Sequence, residues 1–583
     1  MKITSIILSA MIGLSLASCH DDLNTKPYDT FDADEVFSSK ENAEMFVNGL
    51  YYILKDKLSP DDEANHGDGN TVIQEGSGTT FVQETFTSDN DFGWNIFGDL
   101  RSCNQAITNI ETSANISQAD KDNLIGQAKF LRAALYYSNA RKFGRLILID
   151  KVLTPEDDLE LPRTKTIKET YDAILKDLDD AAAMLPESAA QGYIAKGAAY
   201  ALKAEVCLQG AAYWDNTDDK LDYYKQARKA SEDLFALNLY SLDEDYGSMF
   251  RSLEGAQASN EIILATYYLK IKNTFQDTFM MNIVPNQGGT GKLSDDVRAK
   301  WPMESLEGWM IYTPSQELVD AYEVIDEDGQ AKDWNQTSYY KNFRPGVDWV
   351  SHAIYDHRDA RFYETIGYDS CHYFNSTLVM RKGGNMWWEN NGEGPRYMTK
   401  TGYIYRKYVY EGATLFYYYP TDWCLVHARL GRSYLNYAEA LLRLIGTSED
   451  DGTLKSTAID YINQVRTTHG KLPELDGNMT EQETWNRYKR ERRVELVYEN
   501  DYYWALLRWA KEENQPVVND LNGKTPQAII IAEDGKDFTM EDVPSIAAQN
   551  RRTFTSKRFL LPIPKSEVST NSRLKEDQNP GWY

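Results

Sequence analysis

Apolar residues recur at three- and four-residue intervals in several long segments, the mark of helices that bury one face. Between 118 and 141, Leu124, Ile125, Ala128, Leu131, Leu135 and Tyr136 form one stripe, and Gly144 follows as a stop. Between 167 and 185 the stripe is Tyr171, Ile174, Leu175, Leu178, Ala181 and Leu185, closed by Pro186. An Ala-rich segment at 194–213 carries Leu202, Ala204, Val206 and Leu208, and 219–237 adds Tyr223, Ala227, Leu234 and Phe235. The pattern returns at 428–446 with Leu430, Tyr434, Tyr437, Leu441, Leu442 and Ile445, then continues at 455–468 and 481–512. Adjacent helices of this length, with small residues where backbones approach, predict helix–turn–helix pairs near the tetratricopeptide (TPR) period.

Between about 245 and 425 the helical period lapses. Gly, Asn, Asp, Tyr and Trp crowd this stretch, which predicts long loops and short strands. No Pro/Gly/Ser linker divides the 583 residues. The expected architecture is therefore one mainly α domain over 41–583. TPR-like helical pairs occupy about 41–240 and 425–512, and a large loop-rich, aromatic-rich insertion occupies about 245–425.

The N-terminus has a different character. Lys2 precedes an apolar and small-residue run from Ile3 to Ala17, long enough for a secretory h-region and too short to span a bilayer. It ends in Leu16-Ala17-Ser18-Cys19, which resembles the bacterial lipobox. Residues 1–18 are thus expected to be a lipoprotein signal peptide, Cys19 the lipidation site, and 19–40 a tether. The acyl chains would anchor by roughly 0.8 kcal/mol per buried CH₂. Asp21 and Asp22 look like a surface-export signal of some Gram-negative outer-membrane lipoproteins. No later stretch reaches about 18 consecutive apolar residues. A net charge of −27 argues against nucleic acid, which demands a basic face. Cys103, Cys207, Cys371 and Cys424 lack CxxC spacing, and the first two sit in helical patterns where buried thiols are usual. Whether any of the four pair in a disulfide stays open.

Several blocks, in order along nearly the whole chain, resemble the SusD/RagB family of surface nutrient-binding lipoproteins. They include Gly49-Leu50-Tyr51, Ala128-Lys129-Phe130-Leu131-Arg132-Ala133, Thr313-Pro314-Ser315 through Tyr322, and His357-Arg358-Asp359-Ala360-Arg361-Phe362. Glu491-Arg492-Arg493-Val494-Glu495-Leu496, Leu561-Pro562-Ile563-Pro564 and Asn579-Pro580-Gly581-Trp582 complete the series. Ala360 stands where the family commonly has Pro, and Tyr498-Glu499-Asn500-Asp501 replaces a Gly-containing turn. The resemblance implies a TPR-like scaffold, capture of oligosaccharide, and a TonB-dependent β-barrel transporter over which the protein closes as a lid. The charged blocks around Arg358 and Glu491 read as scaffold: ion pairs along a helix surface and a loop clamp.

A sugar presents apolar C–H faces that stack on aromatic rings and hydroxyls that need directional partners, so its site pairs exposed aromatics with short polar side chains. Two regions offer this. In 66–97 the candidates are Asp68, Asn70, Asp91, Trp94 and Asn95; in the insertion they are Trp301, Trp309, Trp334, Tyr339, Trp349, Arg381, Trp387 and Trp388. Six of the 13 tryptophans fall between 301 and 388, a concentration that marks the insertion as the richer ground. Trp309 and Tyr312 have a competing role, as a staple for the helix that follows.

No catalytic motif, cofactor motif or metal site is expected. His352 and His357 lack an HExxH frame, and neither GxSxG nor a phosphate-binding Gly-rich loop occurs. The acidic turns at 215–219 and 326–329 lack full EF-hand spacing. Two other functions stay open: an oligopeptide-capturing lid, and a surface glycoside hydrolase needing only two placed carboxylates.

Overall fold

The computed structural model describes residues 36–74, 78–214, 216–286, 306–390 and 398–582. Cys19, the signal segment, most of the tether and Trp301 lie outside the described residues. Helices Phe97–Thr112, Gln118–Phe143, Ile167–Met184, Lys196–Ala211 and Thr217–Ala236 follow one another, each packed on the one before. Side-chain caps fix several starts: Ser117 accepts from Asp120 N, and Thr166 from Glu169 N. Gly210 shows why small residues recur on these faces, since a Cβ there would lie 2.7 Å from the Tyr171 ring.

The array does not end at residue 236. Thr217–Ala236 packs on Leu430–Leu444, which packs on Leu454–Thr468 and Glu481–Glu495. The insertion is therefore looped out of a continuous helical stack. Its neck is an antiparallel pair, Ile262–Tyr268 with Trp423–Arg429, where Trp423 and Tyr268 stack with ring centroids 4.0 Å apart. Beyond the neck lie short helices and small two-stranded sheets around a second core that includes Phe250, Phe279, Tyr322, Phe362, Tyr405 and Trp423. Among the described residues no helix is long and apolar enough to cross a membrane. All four described cysteines are buried and free, so the structure holds no disulfide among them.

The periodic segment 481–512 is two helices, Glu481–Glu495 and Tyr502–Glu512, with Tyr498-Glu499-Asn500-Asp501 between them. Tyr498 and Asn500 between them adopt left-handed backbone, φ 57° at each, without glycine. The Glu63 carboxylate holds that turn, accepting the N–H groups of Asn500, Asp501 and Tyr502 at 2.8–2.9 Å.

The charged blocks are not on a surface. Arg361, Arg429, Glu261, Glu491, Glu495 and His469 are all buried. Arg361 bonds Asp359, Glu491 and Glu495; Arg429 bonds Glu261, Glu495 and Glu499. His469 bridges Glu495 at 2.8 Å and Glu261 at 3.0 Å. The expected scaffold role holds, but as a buried lattice between helical stack and insertion. The trio Glu261, His469 and Glu495 has the spacing of a metal site, yet the guanidinium of Arg429 lies 2.9 Å from Glu261 and 2.6 Å from Glu495, and would repel a cation. Burial alone would lower the pKa of His469, but Glu495 and Glu261 outweigh it and hold the imidazole at about 9.

Because that folded pKa exceeds the ordinary value of 6.5, the contribution of His469 is fully present below about pH 6.5 and is lost as pH rises through about 9. Urea unfolding across pH 6–10 should show stability falling in that window, and His469→Gln should be less stable at pH 6.5 and flatter above it. An unchanged slope in the variant would remove His469 from the account.

Candidate functional site

The loop 66–97 does not form an open sugar site. Trp94 is only 2% exposed, with its ring edge-on to Phe143 at 4.9 Å and its carbonyl accepting from Asn139. Asp68 and Asn70 are buried as well. Asp68 accepts from the N–H groups of Asn70 and Thr71, and Asn70 Oδ1 accepts from Arg493 at 2.7 Å. The Asp68 carboxylate is spent on a turn that leads into the strand Thr71–Ile73, which pairs with Tyr312–Pro314. Asp91 and Asn95 are exposed but serve local turns, accepting from Gly93 N and Phe97 N.

Within the insertion, Trp334 and Trp387 are buried at 8% exposure. Trp334 donates to Asp320 at 2.7 Å and Trp387 to Glu389 at 3.0 Å, so both are core residues with satisfied indoles. Trp309, Tyr339 and Trp388 are half-buried; Tyr339 stacks on His357 at 4.8 Å. Tyr312 is buried in a strand, its hydroxyl on Asn65, rather than stapling a helix from outside. Trp349 is different: it is 43% exposed, with the Arg381 guanidinium 5.7 Å from its ring centroid. Of the residues expected to bind sugar, this pair is brought together at the surface.

The strongest aromatic surface is one that the tryptophan count passed over. Leu415-Phe416-Tyr417-Tyr418-Tyr419-Pro420 leads into the neck strand, and Tyr417, Tyr418 and Tyr419 are 39%, 63% and 51% exposed. Tyr418 takes φ 62°, and the rings of Tyr417 and Tyr418 meet edge to face, 4.3 Å apart at 82°. The loop is tied at both ends. Tyr417 N donates to Glu307 at 2.9 Å, and the Tyr419 carbonyl accepts from Phe275 N at 2.7 Å.

Tyr419 borders a cavity of about 1020 Å³ whose wall also carries Arg251, Lys270, Thr414 and Asp422. Arg251 is held by Glu364 and Glu411, while its buried Nε has no protein partner. Lys270 and Asp422 meet through the Lys270 N–H, 2.6 Å from the Asp422 carboxylate. Exposed phenol rings beside short polar groups are what a sugar requires. The signal was in the chain as a run of four aromatics before Pro420, but it fell at the edge of the insertion and contains no tryptophan.

The acidic turns find protein partners. Asp326 and Asp328 both bind Lys332 at 2.6 Å, and Asn216 caps the Thr217–Ala236 helix. Asp215 lies outside the described residues.

A stack of paired helices with an aromatic, loop-rich body carried on a two-stranded neck defines a TPR-like binding scaffold. The chain belongs to the SusD family, whose model matches residues 260–582, while a second model, described as starch-binding associating with outer membrane, matches residues 21–208. A SusD-like protein P2 of Formosa agariphila is 22% identical over all of this chain and 99% of its own. A SusD-like protein of Bacteroides fragilis has 25% identity and a TM-score of 0.74, covering 96% of this chain and 100% of its own. A laminarin-binding SusD-like protein shares the fold at 17% identity and a TM-score of 0.61, over 93% of this chain and 100% of its own.

Removing Trp94 should therefore damage the fold and not a sugar contact. Trp94→Ala is expected to cost about 3–5 kcal/mol in chemical denaturation, as for other buried aromatics. A variant as stable as the parent would contradict the packing described.

Proposed function

We propose that this protein is a lipid-anchored, cell-surface receptor that captures oligosaccharide on the tyrosine loop 417–419 and delivers it to a TonB-dependent β-barrel transporter, closing over it as a lid. The observation that carries the reading is the exposed tyrosine run beside the 1020 Å³ cavity. Phenol rings supply C–H stacking, and Arg251, Lys270, Thr414 and Asp422 supply hydroxyl partners. The lipobox at Cys19 and the family's outer-membrane association support the location.

Capture involves no bond-making step. Glu364 and Glu411, the carboxylates nearest Arg251, are both bonded to it, which suits binding better than general acid catalysis. Affinity in the micromolar to millimolar range, about −8 to −4 kcal/mol, suits a lid that must release its cargo.

A glycan array that includes β-glucans of the laminarin type, followed by calorimetry, tests the reading. Tyr419→Ala should weaken the selected oligosaccharide roughly tenfold, about 1.4 kcal/mol, without product formation. Turnover would move the protein to the hydrolases. Silence across the array together with peptide binding would move it to oligopeptide capture.

A further inference from the structure

Trp349 stands apart from the tyrosine cavity, and its surroundings are built to present it. The loop that carries it is fastened to the hairpin turn at 532–537 by two backbone bonds. Gly346 N donates to Lys536 O at 2.8 Å, and Val350 N to Gly535 O at 2.9 Å. Gly535 lies beneath the indole: it has φ 72°, and a Cβ there would fall 2.4 Å from Trp349 Cζ3 and 3.7 Å from Arg381 Cδ. Gly535 and Arg381 thus both pack close to the ring, while 43% of the residue stays exposed. Arg381 is itself fixed, bonding Asp369 at 2.7 Å, and Lys536 Nζ lies 6.0 Å from the ring centroid.

A large ring that is partly exposed and flanked by the charged Arg381 and Lys536 is a poor centre for a protein interface. Such interfaces surround their aromatic anchors with further apolar area. It is a good platform for a pyranose whose hydroxyls are all equatorial, because one face of such a sugar shows only C–H groups. The platform and the tyrosine cavity share no residue. The segment 360–371 runs between them, with Glu364 reaching Arg251 at one site and Asp369 reaching Arg381 at the other.

We propose that Trp349 is a second, separate saccharide-binding platform, so that one protein molecule engages a polysaccharide at two points. The proposal rests on the glycan-capture reading for its ligand class but not on the tyrosine site. Two linked contacts raise the apparent affinity for a polymer well above that for a short oligosaccharide, by mass action and without any new interaction.

Affinity electrophoresis through gels containing laminarin, barley β-glucan, xyloglucan, galactomannan or amylopectin tests it. The samples are the parent, Trp349→Ala, Trp349→Phe, the pair Tyr418→Ala/Tyr419→Ala, and Trp349→Ala combined with that pair. Thermal melts confirm folding. Trp349→Ala is expected to weaken binding to a retarding polysaccharide at least tenfold, while Trp349→Phe keeps most of it. The tyrosine pair should leave residual retardation that the combined variant abolishes. Trp349→Ala indistinguishable from the parent on every retarding polysaccharide would overturn the platform. Loss in Trp349→Ala with no effect of the tyrosine pair would sustain the platform and sink the tyrosine site. No retardation of the parent by any of the five would overturn both.

Discussion

The structure depends on a carboxylate that takes charge from three directions. Glu495, fully buried, receives Arg361 from the insertion, Arg429 from the neck strand and His469 from the end of the Leu454–Thr468 helix. Each of these ions alone would suffer several kcal/mol of desolvation in the interior. Together they compensate one another, and only in one arrangement of helical stack, neck and insertion. Removing one partner strands the rest, which typically costs 3–5 kcal/mol. The lattice thus ties the insertion to the helical stack through paired, desolvated charges as well as through packing.

The helical stack was legible because its information is local. A stripe at 3.6-residue spacing ending in Gly144 or Pro186 predicts an element from the residues of that element alone, and Gln118–Phe143 and Ile167–Met184 lie where the stripes put them. The turn that divides 481–512 has the opposite character. Tyr498 and Asn500 turn the chain because Glu63, more than four hundred residues earlier, accepts the backbone N–H groups there. Likewise, the spacing of Glu491 and Glu495 matches a solvated helix face, and burial by Arg361 and Arg466 is invisible until the insertion folds back.

Sugar chemistry was legible as residue types, not as positions. Tryptophan is large enough that burial is its usual fate, and Trp94, Trp334 and Trp387 follow that rule. Asp68 and Asn70 are drawn inward by turn hydrogen bonds that the sequence suggests only as a Gly-Asp-Gly-Asn loop. The seat of Trp349 depends on a glycine that lets a hairpin nearly two hundred residues away approach its ring. The tyrosine run escaped attention because three phenols weigh less than six indoles in a count, although a phenol leaves core packing at lower cost.

The contact of Glu63 with residues 500–502 also bears on when the molecule can become itself. Asn579 near the other end of the chain donates to the carbonyl of Phe143 and accepts from Arg163, so the last residues close over the first long helices. Such contacts close loops of 436 and 437 residues, and the entropy of closing them opposes their early formation. A chain released before residue 500 would hold a carboxylate with no donors and a helical stack with its final layer missing. Completion of the fold therefore waits on residues near 500 and 579, although the early helices already pack on one another.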